Sequence, residues 1–153
     1  MSFLIFHKNQ YDDDRVAFVF FQVSYAMMQS NRYKGLSSNW VLLDSQSNCD
    51  IFCNKKLLMN IRNSEEGSTL RLVSNGGELV TNQVGDIANY GTVWYSPDSL
   101  ANIISLSNLR QKYNVEYRAG PNQPTPCFVV TKSDGSKMNL SSMTLGFMYM
   151  KWT

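Results

Sequence analysis

The chain has 153 residues, with 14 Lys and Arg against 12 Asp and Glu and a formal net charge of +2. That length suits one compact domain with an appended arm and leaves little room for two, and charges scattered along the chain give no electrostatic footprint for nucleic acid. A composition that is 43% hydrophobic can fill a core, but three cysteines (Cys49, Cys53, Cys127) and one histidine (His7) are too few for a disulfide framework, a four-ligand zinc site or a Ser-His-Asp hydrolase.

The acidic run Asp12, Asp13, Asp14 and then Arg15 precede an apolar stretch from Val16 to Met28. This stretch is too short to span a bilayer as a helix, and its acidic flank is the opposite of a secretory signal's basic one, so no membrane association is expected. Val16 to Phe21 is β-branched and aromatic and reads as a strand able to pair with another chain. Residues 29 to 39 are polar, contain Gly35 and suit a linker. The expected organisation is thus an arm over residues 1–37, partly strand, and a folded domain over 38–153.

Trp40-Val41-Leu42-Leu43 is a continuous apolar run, the pattern of a buried strand, and leads straight into Asp44-Ser45-Gln46-Ser47. After the Asn54 cap, Leu57, Leu58 and Ile61 fall at helical spacing, predicting a short helix over 54–63 whose Lys55, Lys56 and Arg62 form a solvated face. Ser74-Asn75-Gly76-Gly77 lies between two strand-like runs, and an Asn-Gly pair there predicts a long hairpin over 68–87. Thr92 to Tyr95 is the next expected strand. A helix capped by Asp98 or Ser99 then follows to Tyr113, with Leu100, Ile103, Ile104 and Leu109 on one face. Val115 to Tyr117, Cys127 to Val130, Lys137 to Leu140 and Phe147 to Met150 read as further strands, the first two separated by a Pro-rich loop over 120–126. The fold class is therefore mainly β with one or two short helices. Trp40 and Trp94 are expected to pack inside, and the methionines to fill the core.

Asp44 is the residue with the most chemical promise. A carboxylate emerging from an apolar strand is partly desolvated, which raises its pKa toward the range of acid/base work. Two such groups side by side share one proton, so that one activates water while the other donates to a peptide carbonyl. The chain offers one Asp in this setting, and the partner would come from a second copy related by a two-fold axis. The plainer role is an aspartate capping the strand-to-loop turn. Asp50, six residues on, is expected at the surface or as a cap.

The segment Trp40-Val41-Leu42-Leu43-Asp44-Ser45-Gln46-Ser47 resembles the active-site strand of retropepsin-like aspartic proteases, in particular the protease region of Copia-type retrotransposon polyproteins. Leu72-Val73-Ser74-Asn75-Gly76 is similar to that family's flap hairpin. Asn102-Ile103-Ile104-Ser105-Leu106-Ser107-Asn108-Leu109 resembles the segment that opens its late helix, and Gly146-Phe147-Met148-Tyr149-Met150 its closing strand.

The resemblance implies a closed barrel of short strands with a flap hairpin, and a homodimeric aspartic endopeptidase that cleaves a polyprotein. In it Asp44 is the catalytic carboxylate, Ser45 supports its hydrogen bonding, Gln46 and Ser47 complete the active-site loop, and Ser74, Asn75, Gly76 and Gly77 close over the polypeptide substrate. It implies neither metal nor cofactor, no nucleic-acid binding by this domain, and an intracellular location, in the cytoplasm or in virus-like particles. Gln46 stands where the family has glycine; if its φ were positive, a glutamine would be strained by about 1 kcal/mol or more. The alternative implied by that departure is an inactive relic serving as a dimerisation or peptide-binding module.

Overall fold

A computed structural model describes residues 15–18, 38–74, 77–99, 101–142 and 148–151. It is mainly β. Its strands are β1 (Arg15–Phe18), β2 (Trp40–Asp44), β3 (Ile51–Phe52), β4 (Met59–Asn63), β5 (Leu70–Ser74), β6 (Gly77–Thr81), β7 (Gln83–Ile87), β8 (Gly91–Tyr95), β9 (Asn102–Ser105), β10 (Asn114–Gly120), β11 (Gln123–Thr131), β12 (Lys137–Ser142) and β13 (Met148–Lys151). One α-helix, α1 (Leu106–Lys112), and two 3-10 turns, Lys55–Leu57 and Glu65–Gly67, complete the described elements.

The strands form a three-stranded sheet, ordered β1-β5-β6, and a ten-stranded sheet, ordered β10-β11-β12-β13-β2-β9-β3-β8-β7-β4. Among the described residues the larger sheet has two free ends, β10 and β4, so the expected closed barrel is replaced by an open sheet. β9 inserts between β2 and β3, parallel to β2 and antiparallel to β3. The loop from Ser45 to Asp50 must therefore pass from one side of β9 to the other, and this places it beside the C-terminal end of β9.

Side chains of these three strands alternate between two apolar clusters, as the pleat requires. Val41, Leu43, Phe52 and Ile104 join Leu109 of α1 and Val93, Val130 and Leu140 in one. Leu42, Ile51 and Ile103 join Leu70 and Leu72 of β5 in the other. The β5–β6 hairpin is thus packed onto one face of the strand that ends in Asp44.

Several elements differ from the sequence reading. Residues 102–105 form a strand, and the helix begins about two turns later than expected, capped by Ser105, whose Oγ accepts from the Asn108 N–H. Asn54 does cap a turn, but that turn ends at Leu57, and Met59–Asn63 continue as an edge strand with Met59 and Ile61 exposed. The hairpin is β5–β6 alone: after Asn82 the chain crosses to the other sheet, where β7 pairs with β4 and β8. Thr81 marks the crossing, its Oγ1 donating to the Tyr95 carbonyl at 2.7 Å and accepting from the Gln83 N–H at 3.1 Å. Pro124 and Pro126, read as loop, lie in β11 near the irregular register at Arg118 and Gly120, where the missing N–H groups cost few ladder bonds. β1 pairs in parallel with β5 of the same chain. Trp40 and Trp94 are half-buried, and Met138 packs against the first cluster. Met27, Met28 and Met143 lie outside the described residues.

Candidate active site

Asp44 is the last residue of β2, paired with Ser105 of β9. Period two puts its side chain on the face of Leu42, the face covered by the β5–β6 hairpin. The carboxylate is half-buried. The Gln46 N–H donates to its Oδ1 at 2.8 Å. Burial pushes the carboxyl above its ordinary value, and the main-chain N–H groups of Gln46 and Ser47 draw it partly back. Ser45 and Gln46 are exposed, so in the single chain the Asp44 carboxylate is held by backbone amides rather than by the Ser45 hydroxyl.

The left-handed backbone that would strain a glutamine is absent. Among the described non-glycine residues, only Asn60 and Asn89 have positive φ. Gln46 thus stands in the loop without the penalty that glycine exists to avoid.

Ser47 is buried and turns the loop inward. Its Oγ donates to the Cys49 carbonyl at 2.7 Å and accepts from the Cys49 N–H at 3.3 Å. Burial, with Asp50 and Asp44 nearby, pushes the Cys49 thiol up to about 12, so this cysteine stays protonated and inert at neutral pH.

Asp50 is buried, not exposed, which corrects its expected surface position. Its Oδ1 accepts from the Ser105 N–H at 2.7 Å and its Oδ2 from the Tyr90 hydroxyl at 2.8 Å. Burial raises its carboxyl, opposed by the Ser105 N–H, the Tyr90 hydroxyl, the Asn108 side chain and the Lys112 charge. The expected capping function survives in a different form, because the amide it accepts from belongs to the N-cap residue of α1. With both oxygens committed, Asp50 is not a second reacting carboxylate for Asp44.

On the hairpin, the register pairs Ser74 with Gly77 and so brackets Asn75 and Gly76, which lie outside the described residues. Leu70 and Leu72 are buried beneath it, while Arg71 and Glu78 form an exposed ion pair at 3.1 Å on its outer face.

Two residues went unread in the sequence although they order this region. Ser105 was legible only as part of a helix opening. Asn102 is almost fully buried: its Oδ1 accepts from the N–H groups of Cys53 and Asn54, and its Nδ2 donates to the carbonyls of Ser38 and Trp40. It ties the start of β2 to the end of β3. A polar side chain inside an apolar run, as in Asn102-Ile103-Ile104-Ser105, was the available signal.

One such carboxylate can accept a proton from water when ionised or donate one when protonated, but it cannot do both at once. Among the described residues no three His, Cys, Asp or Glu side chains converge as a metal site, and no helix is long and apolar enough to cross a membrane. Comparison of the chain with protein-family models, curated proteins and solved structures finds no match.

Proposed function

We propose that the chain is an aspartic endopeptidase of the retropepsin type, acting as a homodimer in which each copy contributes Asp44. The observation that carries this reading is the half-buried Asp44 at the end of an apolar strand, on the face covered by a β-hairpin. Two such carboxylates across a two-fold axis share a proton; the ionised one takes a proton from the attacking water and the protonated one donates to the peptide carbonyl. The hairpin supplies a strand against which an extended polypeptide can lie. A retrotransposon polyprotein is the proposed substrate, which places the reaction inside the cell, in the cytoplasm or in a virus-like particle.

A purified sample assayed on a peptide library near pH ~5 cleaves in a pepstatin-sensitive manner, and Asp44→Asn abolishes cleavage. Cleavage that survives this substitution sinks the proposal.

A second reading is favoured by one bond. The Gln46 N–H donating to Asp44 two residues back is what a turn-capping aspartate makes, so the same loop suits a non-catalytic dimerisation or peptide-binding module. Dimers that bind peptides without cleaving them decide for this reading.

A further inference from the structure

Ser105 stands beside Asp44 in the parallel ladder and is completely buried. Its hydroxyl and its N–H are both engaged, on the Asp44 loop and at the start of α1. The hydroxyl donates to the Ser47 carbonyl at 2.6 Å and accepts from the Asn108 N–H at 3.3 Å, while the N–H donates to Asp50 Oδ1 at 2.7 Å. Asp50 is braced in turn by the Tyr90 hydroxyl, and Tyr90 by Lys112, whose Nζ donates to the Tyr90 carbonyl at 2.9 Å and lies 4.8 Å from its ring centroid.

The loop is therefore gripped at Ser47 and at Asp50 by the same residue. Ser47 directly follows Gln46, whose main-chain N–H donates to Asp44 Oδ1 at 2.8 Å. Fixing the Ser47 carbonyl leaves only the φ and ψ of Gln46 and Ser47 between the grip and that N–H. We propose that Ser105, braced by Asp50 and Tyr90, is a positioning residue for Asp44, holding Ser47 so that the Gln46 N–H stays aimed at the Asp44 carboxylate.

This rests on Asp44 being the reacting carboxylate, yet it can be tested apart from activity. In the full chain, the Asp44 side-chain carboxyl is followed by carbon NMR through a pH titration, with Asp44→Asn identifying the signal. Cys49, which lies near Asp44, and Asp50 with its own neighbours Tyr90 and Lys112 all remain present in Ser105→Ala. Loss of the grip lets the Gln46 N–H stray, and Asp44 titrates about half a unit or more higher. The acid limb of the cleavage profile moves in the same direction, and Ser105→Thr, which keeps the hydroxyl, restores both.

A fall in melting temperature with the Asp44 titration unmoved overturns the proposal, because a merely structural serine behaves that way. If Ser105→Ala does not fold, Tyr90→Phe carries the test. It removes the brace on Asp50 and shifts the titration upward by a smaller amount, and no shift overturns the proposal equally. The two claims fail separately. A titration that moves in a chain that cleaves nothing supports the positioning and removes the endopeptidase; Asp44-dependent cleavage with an unmoved titration does the reverse.

Discussion

At one end of the loop that leaves β2, Asp44 keeps a half-buried carboxylate that, among the described residues, has main-chain donors alone, directed to the face that the hairpin covers. At the other end, Asp50 is buried, with both oxygens bonded across the domain. Burial raises both carboxyls. What separates them is where their donors come from: Asp50 accepts from groups 40 and 55 residues away, and Asp44 accepts from the Gln46 N–H of its own loop. A desolvated carboxylate is thus a candidate for chemistry only where its partners leave it reachable.

The largest effect expected from this contrast is on stability. Asp50→Ala removes the carboxylate that accepts from the Tyr90 hydroxyl and the Ser105 N–H inside the domain, and the cost is about 2–4 kcal/mol in urea denaturation. Asp44→Ala loses about 1 kcal/mol or less, since the exposed Gln46 N–H it frees turns to water. A cost for Asp44→Ala as large as that for Asp50→Ala breaks the contrast.

A smaller effect is on the pH dependence of stability. Both carboxyls lie above the ordinary 3.8 in the folded chain. Between that value and the raised one, the folded state holds protons that the unfolded state has released. Their contribution is therefore full below the unfolded value and is lost as pH rises through the folded one. Asp86, Glu116 and Asp134, held low by their partners, contribute in the opposite sense. Urea midpoints measured through the carboxylate range fall less with rising pH in Asp50→Asn than in the unsubstituted chain. A steeper fall in the variant contradicts the burial of that charge.

The sequence made one end of this loop far more legible than the other. Asp44 could be found because Val41-Leu42-Leu43 is an uninterrupted apolar run that stops at a carboxylate, a strictly local signal. The Asn75-Gly76 hairpin was readable for the same reason. Asp50 was misread because its partners Tyr90 and Ser105 lie 40 and 55 residues away. The helix expected from Leu100 onward starts late, at Leu106, for a related cause: Ile103 and Ile104 suit a helix stripe as well as a buried strand. They enter opposite clusters, and only the neighbouring strands β2 and β3 decide that. In the 54–63 segment, Leu58 is buried while Met59 and Ile61 are exposed, so helical spacing had described no single face. The open sheet was likewise invisible, because closure depends on which edges meet rather than on any one strand's pattern.

The smallest expected effect concerns Gln46, where the resemblance and the geometry disagree about what glycine would do. In the resemblance glycine relieves a tight turn. Here Gln46 has no positive φ and its side chain is exposed, so removing that side chain relieves neither backbone nor packing. Glycine instead gives the unfolded chain more freedom, and Gln46→Gly lowers stability by about 0.5 kcal/mol in urea denaturation. The Gln46 N–H remains available to Asp44, because every residue other than proline supplies one. Cleavage by the glycine variant therefore stays within about two-fold of the parent, a difference well under 1.4 kcal/mol in barrier height. Cleavage that appears only after glycine is introduced reverses this, makes Gln46 the reason for an idle site, and decides for the non-catalytic module.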